Sequence, residues 1–140
     1  MKNKLKVAFA SDDTNEAVES AIEYLQNNYE LTIEFASDKW PIMSKNVAKL
    51  VANKEVDFGV LMCWTGTGTA IAANKVKGIR AATVMDAYTA KNARLWNDAN
   101  VIALSLKRLS PEVVIECLEA FLSVENPDES ELANILLLED

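Results

Sequence analysis

A cysteine followed directly by a glycine-containing loop is the feature of this sequence best suited to chemistry. Cys63 ends an apolar run, and Trp64 and Thr65 lead into Gly66-Thr67-Gly68. A helix starting here would direct unpaired N–H groups and a positive dipole end at an anion or a developing oxyanion. The same position favours the thiolate of a nearby cysteine, the form that acts as base or nucleophile. The loop therefore predicts proton transfer or anion binding, and a buried structural cysteine is the simpler alternative.

Two common alternatives do not fit the loop. A dinucleotide-binding turn has the pattern G-x-G-x-x-G, but Thr69, Ala70 and Ile71 follow Gly68 without a third glycine, and no G-K-[ST] of a P-loop is present. The sequence also contains no histidine. This removes the usual general base, the commonest metal ligand and every Ser-His or Cys-His dyad.

The composition of the chain is typical of a single soluble domain. The chain has 140 residues, of which half are hydrophobic and a quarter charged. Its net charge of -7 argues against a nucleic-acid or anionic-membrane partner. No apolar run approaches the roughly 18 residues of a membrane span, and the first apolar stretch is too short for a signal peptide. Cys63 and Cys117 lie far apart, which predicts free thiols and a cytoplasmic protein rather than a disulfide or zinc cluster.

The elements that must position the loop alternate between strand and helix periodicity. Apolar or alternating runs predict five strands, at 5–10, 31–35, 58–62, 79–84 and 101–104. Helical spacing predicts helices at 18–25, 43–51, 69–75 and 88–96, another starting at Ser110-Pro111, and a loop at 37–41. Strands that are apolar on both faces indicate a Rossmann-like three-layer α/β sandwich, with a five-stranded parallel sheet and helices on both faces.

The C-terminal segment predicts one more helix. Asp128 and Glu131 form a capping-box-like pair ahead of Leu132, Ile135 and Leu136. We therefore expect residues 1–140 to form one domain, in which 126–140 is a helix that docks on the core or on a partner subunit.

Ligands of parallel α/β sheets bind outside the carboxyl ends of the strands. Three loops follow strands in the required way: Ser11-Asp12-Asp13, residues 63–68, and Met85-Asp86. These loops are the predicted places for a functional site.

The glycine loop and the residues after it resemble a known family. The strings CWTGTG (63–68), IAANK (71–75) and GIRAA (78–82) resemble ribose-5-phosphate isomerase B and galactose-6-phosphate isomerase. Further matches follow in order over about residues 5–125: Ser11-Asp12, Asp86 with Tyr88-Thr89-Ala90, Asn97-Asp98-Ala99-Asn100-Val101, and Pro111-Glu112.

The resemblance implies aldose–ketose isomerisation through a cis-enediolate, without a metal or organic cofactor. It implies that Cys63 is the base, that Thr65 assists near the reacting oxygens, and that the N–H groups of Gly66, Thr67 and Gly68 form an anion hole. Asp12 would bind sugar hydroxyls, and Ser11 and Asp13 beside it are further candidate substrate-binding residues. Asn97 would reach the site from a neighbouring subunit, so the resemblance also implies a homodimer or tetramer with its active site at the subunit interface.

Several positions depart from the family pattern. Asp13 and Trp96 stand where histidines are usual, and Trp64 replaces a glycine. Ser105-Leu106-Lys107, followed by Arg108, replaces Gly-Gly-Arg, and the acidic segment 126–140 lacks the family's C-terminal arginine. Asp13 would repel a phosphate, and the lost arginines would remove charge-assisted bonds to one.

These departures predict an altered substrate, and they leave two alternatives to the isomerase open. We expect an isomerase of a sugar or sugar phosphate; the alternatives are a non-catalytic sugar-binding homologue and one subunit of a hetero-oligomeric isomerase. Trp64 and Trp96 either offer flat surfaces for ligand stacking or pack in the core or a subunit interface. The cationic candidates for an anionic substrate group are Lys107, Arg108, Arg94 and Lys91, and the alternative for each is a solvated surface charge.

Overall fold

A computed structural model describes residues 4–34 and 39–139. Its strands are β1 (Lys6–Ser11), β2 (Glu30–Ile33), β3 (Phe58–Cys63), β4 (Ala81–Thr83) and β5 (Val101–Ser105). Its helices are α1 (Glu16–Asn28), α2 (Trp40–Ala52), α3 (Thr67–Ala73), α4 (Ala87–Asn97), α5 (Pro111–Leu122) and α6 (Leu132–Leu137), and a 3-10 turn (Glu129–Glu131) precedes α6.

The five strands form one parallel sheet in the order β2-β1-β3-β5-β4. Ser11 at the end of β1 pairs with Met62, and Cys63 at the end of β3 pairs with Ser105 of β5. The register therefore brings the loops after β1, β3 and β5 together at one edge. The predicted fold class, a single α/β domain with a five-stranded parallel sheet, is confirmed.

Each face of the sheet is covered by its own apolar layer. On one face, α1, α4 and α5 pack around a cluster that includes Phe9, Ile102 and Phe121. On the other, α2 and α3 pack against small strand residues such as Ala8. Gly59 of β3 permits this close approach, because an added Cβ would lie 2.8 Å from a methyl group of Val47 in α2.

Three predicted boundaries differ from the structure. Trp40 and Pro41 were predicted in a loop but belong to the first turn of α2, because proline loses no hydrogen bond at the start of a helix. Helix α3 begins two residues early, at Thr67, and β4 spans 81–83 instead of 79–84. Phe35 and the first two residues of the predicted loop lie outside the described residues.

The capping box predicted before the last helix is wrong. The Asp128 carboxylate accepts from the backbone N–H and hydroxyl of Ser130. The Glu131 carboxylate, however, accepts from the Asn134 side chain, and the Asp128 N–H donates to the Leu95 carbonyl. The reciprocal bond that defines the motif is therefore missing.

The last helix turns only part of its apolar surface inwards. Ile135 is buried, whereas Leu136, Leu137 and Leu138 are exposed. Docking of 126–140 on a partner subunit stays a prediction. None of the helices in the described ranges combines the length and apolar character needed to cross a membrane.

Candidate active site

The loop between β3 and α3 depends on one glycine in a left-handed conformation. Gly66 has a φ of +75°, a region that side chains with a Cβ rarely adopt. An added Cβ would also lie 3.0 Å from the carbonyl carbon of Leu104 on neighbouring β5. The chain can therefore turn within three residues of Cys63 and begin α3 at Thr67.

The Cys63 sulfur lies between a backbone donor and a hydroxyl. The Gly66 N–H donates to Cys63 Sγ over 3.1 Å, and Thr69 Oγ1 lies 3.3 Å from the same sulfur. Cys63 is only 6% exposed. Sequence reasoning missed Thr69, although its place in the first turn of the helix after the loop was a usable signal. Both groups can stabilise negative charge on the sulfur.

The predicted anion hole is modified by these contacts. The Gly66 N–H points at the Cys63 sulfur instead of an open position. The Thr67 N–H donates to Thr65 Oγ1 over 3.3 Å, and the two threonine hydroxyls are 2.7 Å apart. Thr65, Thr67 and Gly68 nevertheless line the cleft beside Cys63.

This cleft has a volume of about 360 Å³ and lies between the loop after β1, the first turn of α2 and the segment that leads from the end of β3 into α3. It is lined by Asp12, Trp40, Cys63, Trp64, Thr65, Thr67 and Gly68. Trp40 was not among the predicted site residues. Its ring lies so close to Gly68 that a Cβ there would approach it to 3.0 Å. An aromatic residue shortly after β2, a strand of the same parallel sheet, was the available signal.

The loop after β1 supplies a partly buried carboxylate. Burial raises the pKa of Asp12 above its ordinary value, against a smaller opposing effect of a backbone hydrogen bond. Its Oδ1 atom is buried and has no hydrogen-bond partner among the described residues. The Ser11 hydroxyl donates to the Asp13 carbonyl, so it supports the loop's own backbone.

Three departures from the family pattern contact one another at the rim of the cleft. Trp64 Nε1 donates to Asp13 Oδ2 over 3.0 Å, and Lys107 Nζ lies 4.9 Å from the centroid of the Trp64 ring. Hydrogen bonds from the Thr14 N–H and from Trp64, with the nearby charge of Lys107, lower the pKa of Asp13. We call Asp13, Trp64 and Lys107 the rim cluster.

Neighbouring strands hold the loop in place. The Ser105 hydroxyl donates to the Trp64 carbonyl and accepts the Arg108 N–H over 3.0 Å. Arg108 therefore contacts this region through its backbone N–H. The residue as a whole is exposed. Thr83 Oγ1 donates to the Gly66 carbonyl over 2.7 Å.

The third predicted loop has a structural role. Asp86 Oδ1 accepts the Thr89 N–H over 2.7 Å and caps α4. This bond is the main cause of the lowered pKa of Asp86. Within residues 4–34 and 39–139, no three His, Cys, Asp or Glu side chains are grouped to hold a metal ion.

The family model described as Ribose/Galactose Isomerase matches residues 7–136. The chain belongs to this family. A ribose-5-P isomerase B of Listeria innocua is 33% identical, with 97% of this chain and 96% of the relative covered. A D-erythrulose-4-phosphate isomerase of Pectobacterium atrosepticum is 34% identical, with 86% and 84% covered.

A solved ribose-5-phosphate isomerase B of Clostridium thermocellum superposes with a TM-score of 0.89 at 27% identity, covering 96% of this chain and 95% of that chain. The resemblance stated from the sequence is therefore confirmed, and so is an isomerase enzyme at the level of the ribose/galactose isomerase family.

Two predicted residues of this isomerase lie away from the cleft. Trp96 and Asn97 line a separate cavity of about 310 Å³ together with Tyr88. They end α4, which follows β4 and returns toward the start of β5, whereas Cys63 ends β3. The structure does not bring them to Cys63 of the same chain.

Proposed function

We propose that this protein is an aldose–ketose isomerase in which Cys63 transfers the proton and the substrate is a sugar or sugar phosphate other than ribose 5-phosphate. The observation that carries the proposal is the environment of the Cys63 sulfur. It borders a cleft and has the Gly66 N–H at 3.1 Å and the Thr69 hydroxyl at 3.3 Å. A thiolate held in this way can act as a base at a carbon next to a carbonyl.

The proposed reaction needs no oxidant or reductant. In the aldose, the Cys63 thiolate takes the proton from C2, and the electrons of that C–H bond form the C1–C2 double bond while those of the carbonyl move to O1. The hydroxyl proton on O2 then moves to O1. Cys63 returns its proton to C1 as the carbonyl forms at C2, so an aldose becomes its ketose isomer with atoms and electrons conserved.

Donors around the cleft fit the charge that develops on oxygen. Thr65 and Thr67 hydroxyls lie beside Cys63, and the long 3.3 Å bond from the Thr67 N–H to Thr65 Oγ1 can be exchanged for a stronger bond to an enediolate oxygen. Asp12 offers its unpartnered Oδ1 to a substrate hydroxyl. In this scheme Gly66 stabilises the base rather than the enediolate.

The altered substrate is proposed from the residues that border the cleft. Relatives of similar identity carry names with different sugars, ribose 5-phosphate in one and D-erythrulose 4-phosphate in another. In this chain the indole of Trp64 lines the cleft and bonds to Asp13. A bulky ring and a carboxylate at these positions change both the space and the charge available to a substrate.

A kinetic screen tests the proposal. Aldoses and ketoses of four to six carbons, each with and without its terminal phosphate, are incubated with the wild type, Cys63→Ala and Cys63→Ser. We expect at least one pair to interconvert with the wild type and both variants to lose that activity. Activity that survives Cys63→Ala unchanged contradicts the mechanism, and no interconversion in any pair contradicts the function.

We further propose that Asn97 completes the site of a neighbouring copy. Its position at the end of α4, away from Cys63 of its own chain, supports this role. Cys63→Ala and Asn97→Ala chains are mixed in equal amounts and refolded together. Random pairing in a two-fold dimer makes half of the dimers mixed, and one of the two sites in each mixed dimer is intact, so activity should return to about one quarter of wild type. If the mixture is no more active than its components, Asn97 does not act across an interface.

A further inference from the structure

The rim cluster pairs its charges internally. The Asp13 carboxylate accepts the Trp64 indole N–H over 3.0 Å and the Thr14 N–H over 2.8 Å. The Lys107 ammonium lies 4.9 Å from the centroid of the same indole, within the range of a cation–π interaction. Lys107 therefore contacts the Trp64 ring, and its charge acts on the neighbouring Asp13 carboxylate.

The charge around the cleft is consequently unfavourable for a phosphate. Asp12 lines the cleft and Asp13 lies at its rim, so two carboxylates face one ammonium that is already engaged. The hydrogen bonds to Asp13 also lower its pKa, which keeps this carboxylate charged at neutral pH. A phosphate dianion would meet net repulsion from this group of three side chains.

Hydrogen-bond capacity points in the same direction. Asp12 Oδ1 is buried and has no partner among the described residues. A carboxylate oxygen in this state gains most from a hydroxyl donor, since an unmade buried hydrogen bond is costly. At its terminal carbon a neutral sugar offers a hydroxyl donor, whereas the phosphate dianion of the ester offers only acceptors there.

The exposed indole adds an apolar surface. Trp64 is 54% exposed although it takes part in both rim contacts. The flat face of an indole packs well against the C–H groups of a sugar. Because Asp13 fixes its N–H and Ser105 holds its carbonyl, the ring is oriented before any ligand arrives.

We propose that the rim cluster is the specificity determinant of this site and that it selects a neutral aldose or ketose over the corresponding terminal phosphate ester. This inference rests on the proposed isomerase function and names its substrate class. Asp13 repels the phosphate and offsets the attraction that Lys107 exerts on it, and Trp64 adds an apolar surface.

The test compares matched pairs. The full chain is assayed with each sugar and its phosphate ester, and kcat/KM for the neutral compound should exceed that for the ester by about tenfold or more, in keeping with loss of an ion-pair contact. Asp13→Asn should move the ratio toward the ester by about fivefold, as expected for one charge removed near a screened anion. Lys107→Met should move it the other way.

A matched control separates local from general charge effects. Glu19→Gln removes one exposed carboxylate from the first turn of α1 and should leave the neutral-to-ester ratio at its wild-type value. An ester preferred about tenfold by the wild type, with a ratio that Asp13→Asn does not change, would overturn the inference while leaving the isomerase proposal intact.

Binding measurements keep the two proposals separable. If no pair is isomerised, the proposed function fails. Binding of the same sugars and esters is then measured by fluorescence quenching in the wild type and in Trp64→Phe, and the difference between the two gives the contribution of Trp64. Tighter binding of the neutral compounds supports the rim cluster as a selector. Equal or tighter binding of the esters refutes it.

Discussion

The two cysteines of this chain lie in regions with opposite chemistry. Cys63 ends β3 at the mouth of a cleft, with a backbone N–H and a threonine hydroxyl within 3.3 Å of its sulfur. Cys117 lies in α5, fully buried in the apolar layer that includes Leu118 and Phe121. Burial raises the pKa of the Cys117 thiol to about 11.

The difference shows that position in the fold, more than burial, sets the polar surroundings of a cysteine sulfur. Both cysteines are buried, at 6% and 0% exposure. Only the end of a strand gives a sulfur access to both a loop N–H and a cleft. A helix interior satisfies its own backbone donors, so it offers no such group to Cys117.

Replacing each cysteine with alanine should give the largest contrast. Cys63→Ala removes the proposed base and should lower kcat by about 10²- to 10⁴-fold, the usual range for general base catalysis. Cys117→Ala should leave kcat within about twofold and cost roughly 1 kcal/mol of unfolding free energy, the order for one methylene-sized group. Steady-state kinetics and urea unfolding measure the two effects, and a comparable loss of kcat in both variants would erase the contrast.

Gly66 tests whether the loop that serves Cys63 depends on its left-handed turn. A left-handed backbone conformation alone costs a residue with a Cβ about 1 to 2 kcal/mol of unfolding free energy. Gly66→Ala should cost more than this, because the new Cβ would also contact the backbone of β5. Gly78→Ala is the matched control: its φ is +89°, but nothing lies within 4 Å of an added Cβ. Equal urea midpoints for the two variants would show that the close approach to Leu104 is unimportant.

Thr69 sharpens the comparison by removing one of the two polar neighbours of the Cys63 sulfur. Thr69→Val keeps the shape of the side chain but removes the hydroxyl that lies 3.3 Å from the Cys63 sulfur. Because a hydrogen bond to a charged group contributes about 1.5 kcal/mol, kcat should fall by about tenfold. Thr69→Ser retains a hydroxyl and should recover most of the rate. A valine variant with wild-type kcat would mean that Thr69 only fills space.

Asp12 should give the smallest effect, on stability. The pKa of Asp12 is raised in the folded protein above its ordinary value of 3.8. Ionisation of Asp12 therefore lowers the free energy of unfolding as the pH rises through the folded pKa, and this loss is absent below pH 3.8. Asp12→Asn should therefore be more stable than wild type at neutral pH, by less than about 1 kcal/mol for a partly screened group. Melting temperatures from pH 3.5 to 8 should converge at the acid end. A gap that widens there would reverse the assigned sign.

The two regions also differ in how far the sequence predicts them. Apolar periodicity sufficed for α5, where Ser110 accepts the Val113 N–H and Pro111 opens the helix as expected. Periodicity and the glycine pattern likewise predicted Cys63 at a strand end before a helix. Local patterns carry this information because caps, turns and faces are set by neighbouring residues.

Contacts across the site could not be predicted in the same way. The bond between Trp64 and Asp13 joins residues 51 positions apart, and it depends on the register of β1 against β3. Trp40 was missed because its segment was interpreted as a loop. Thr69 was missed although its place in the first turn of the helix was a usable signal, because its residue type alone does not indicate a contact with a sulfur six residues earlier.

Solvent deuterium incorporation tests the central claim, that Cys63 is the base, most directly. A sugar that the enzyme isomerises is incubated in D₂O, and deuterium at C1 or C2 is followed by NMR with wild type, Cys63→Ala and Cys117→Ala. Wild type and Cys117→Ala should incorporate deuterium at similar rates, and Cys63→Ala should show none above the enzyme-free control. Incorporation by Cys63→Ala at the wild-type rate would contradict the account.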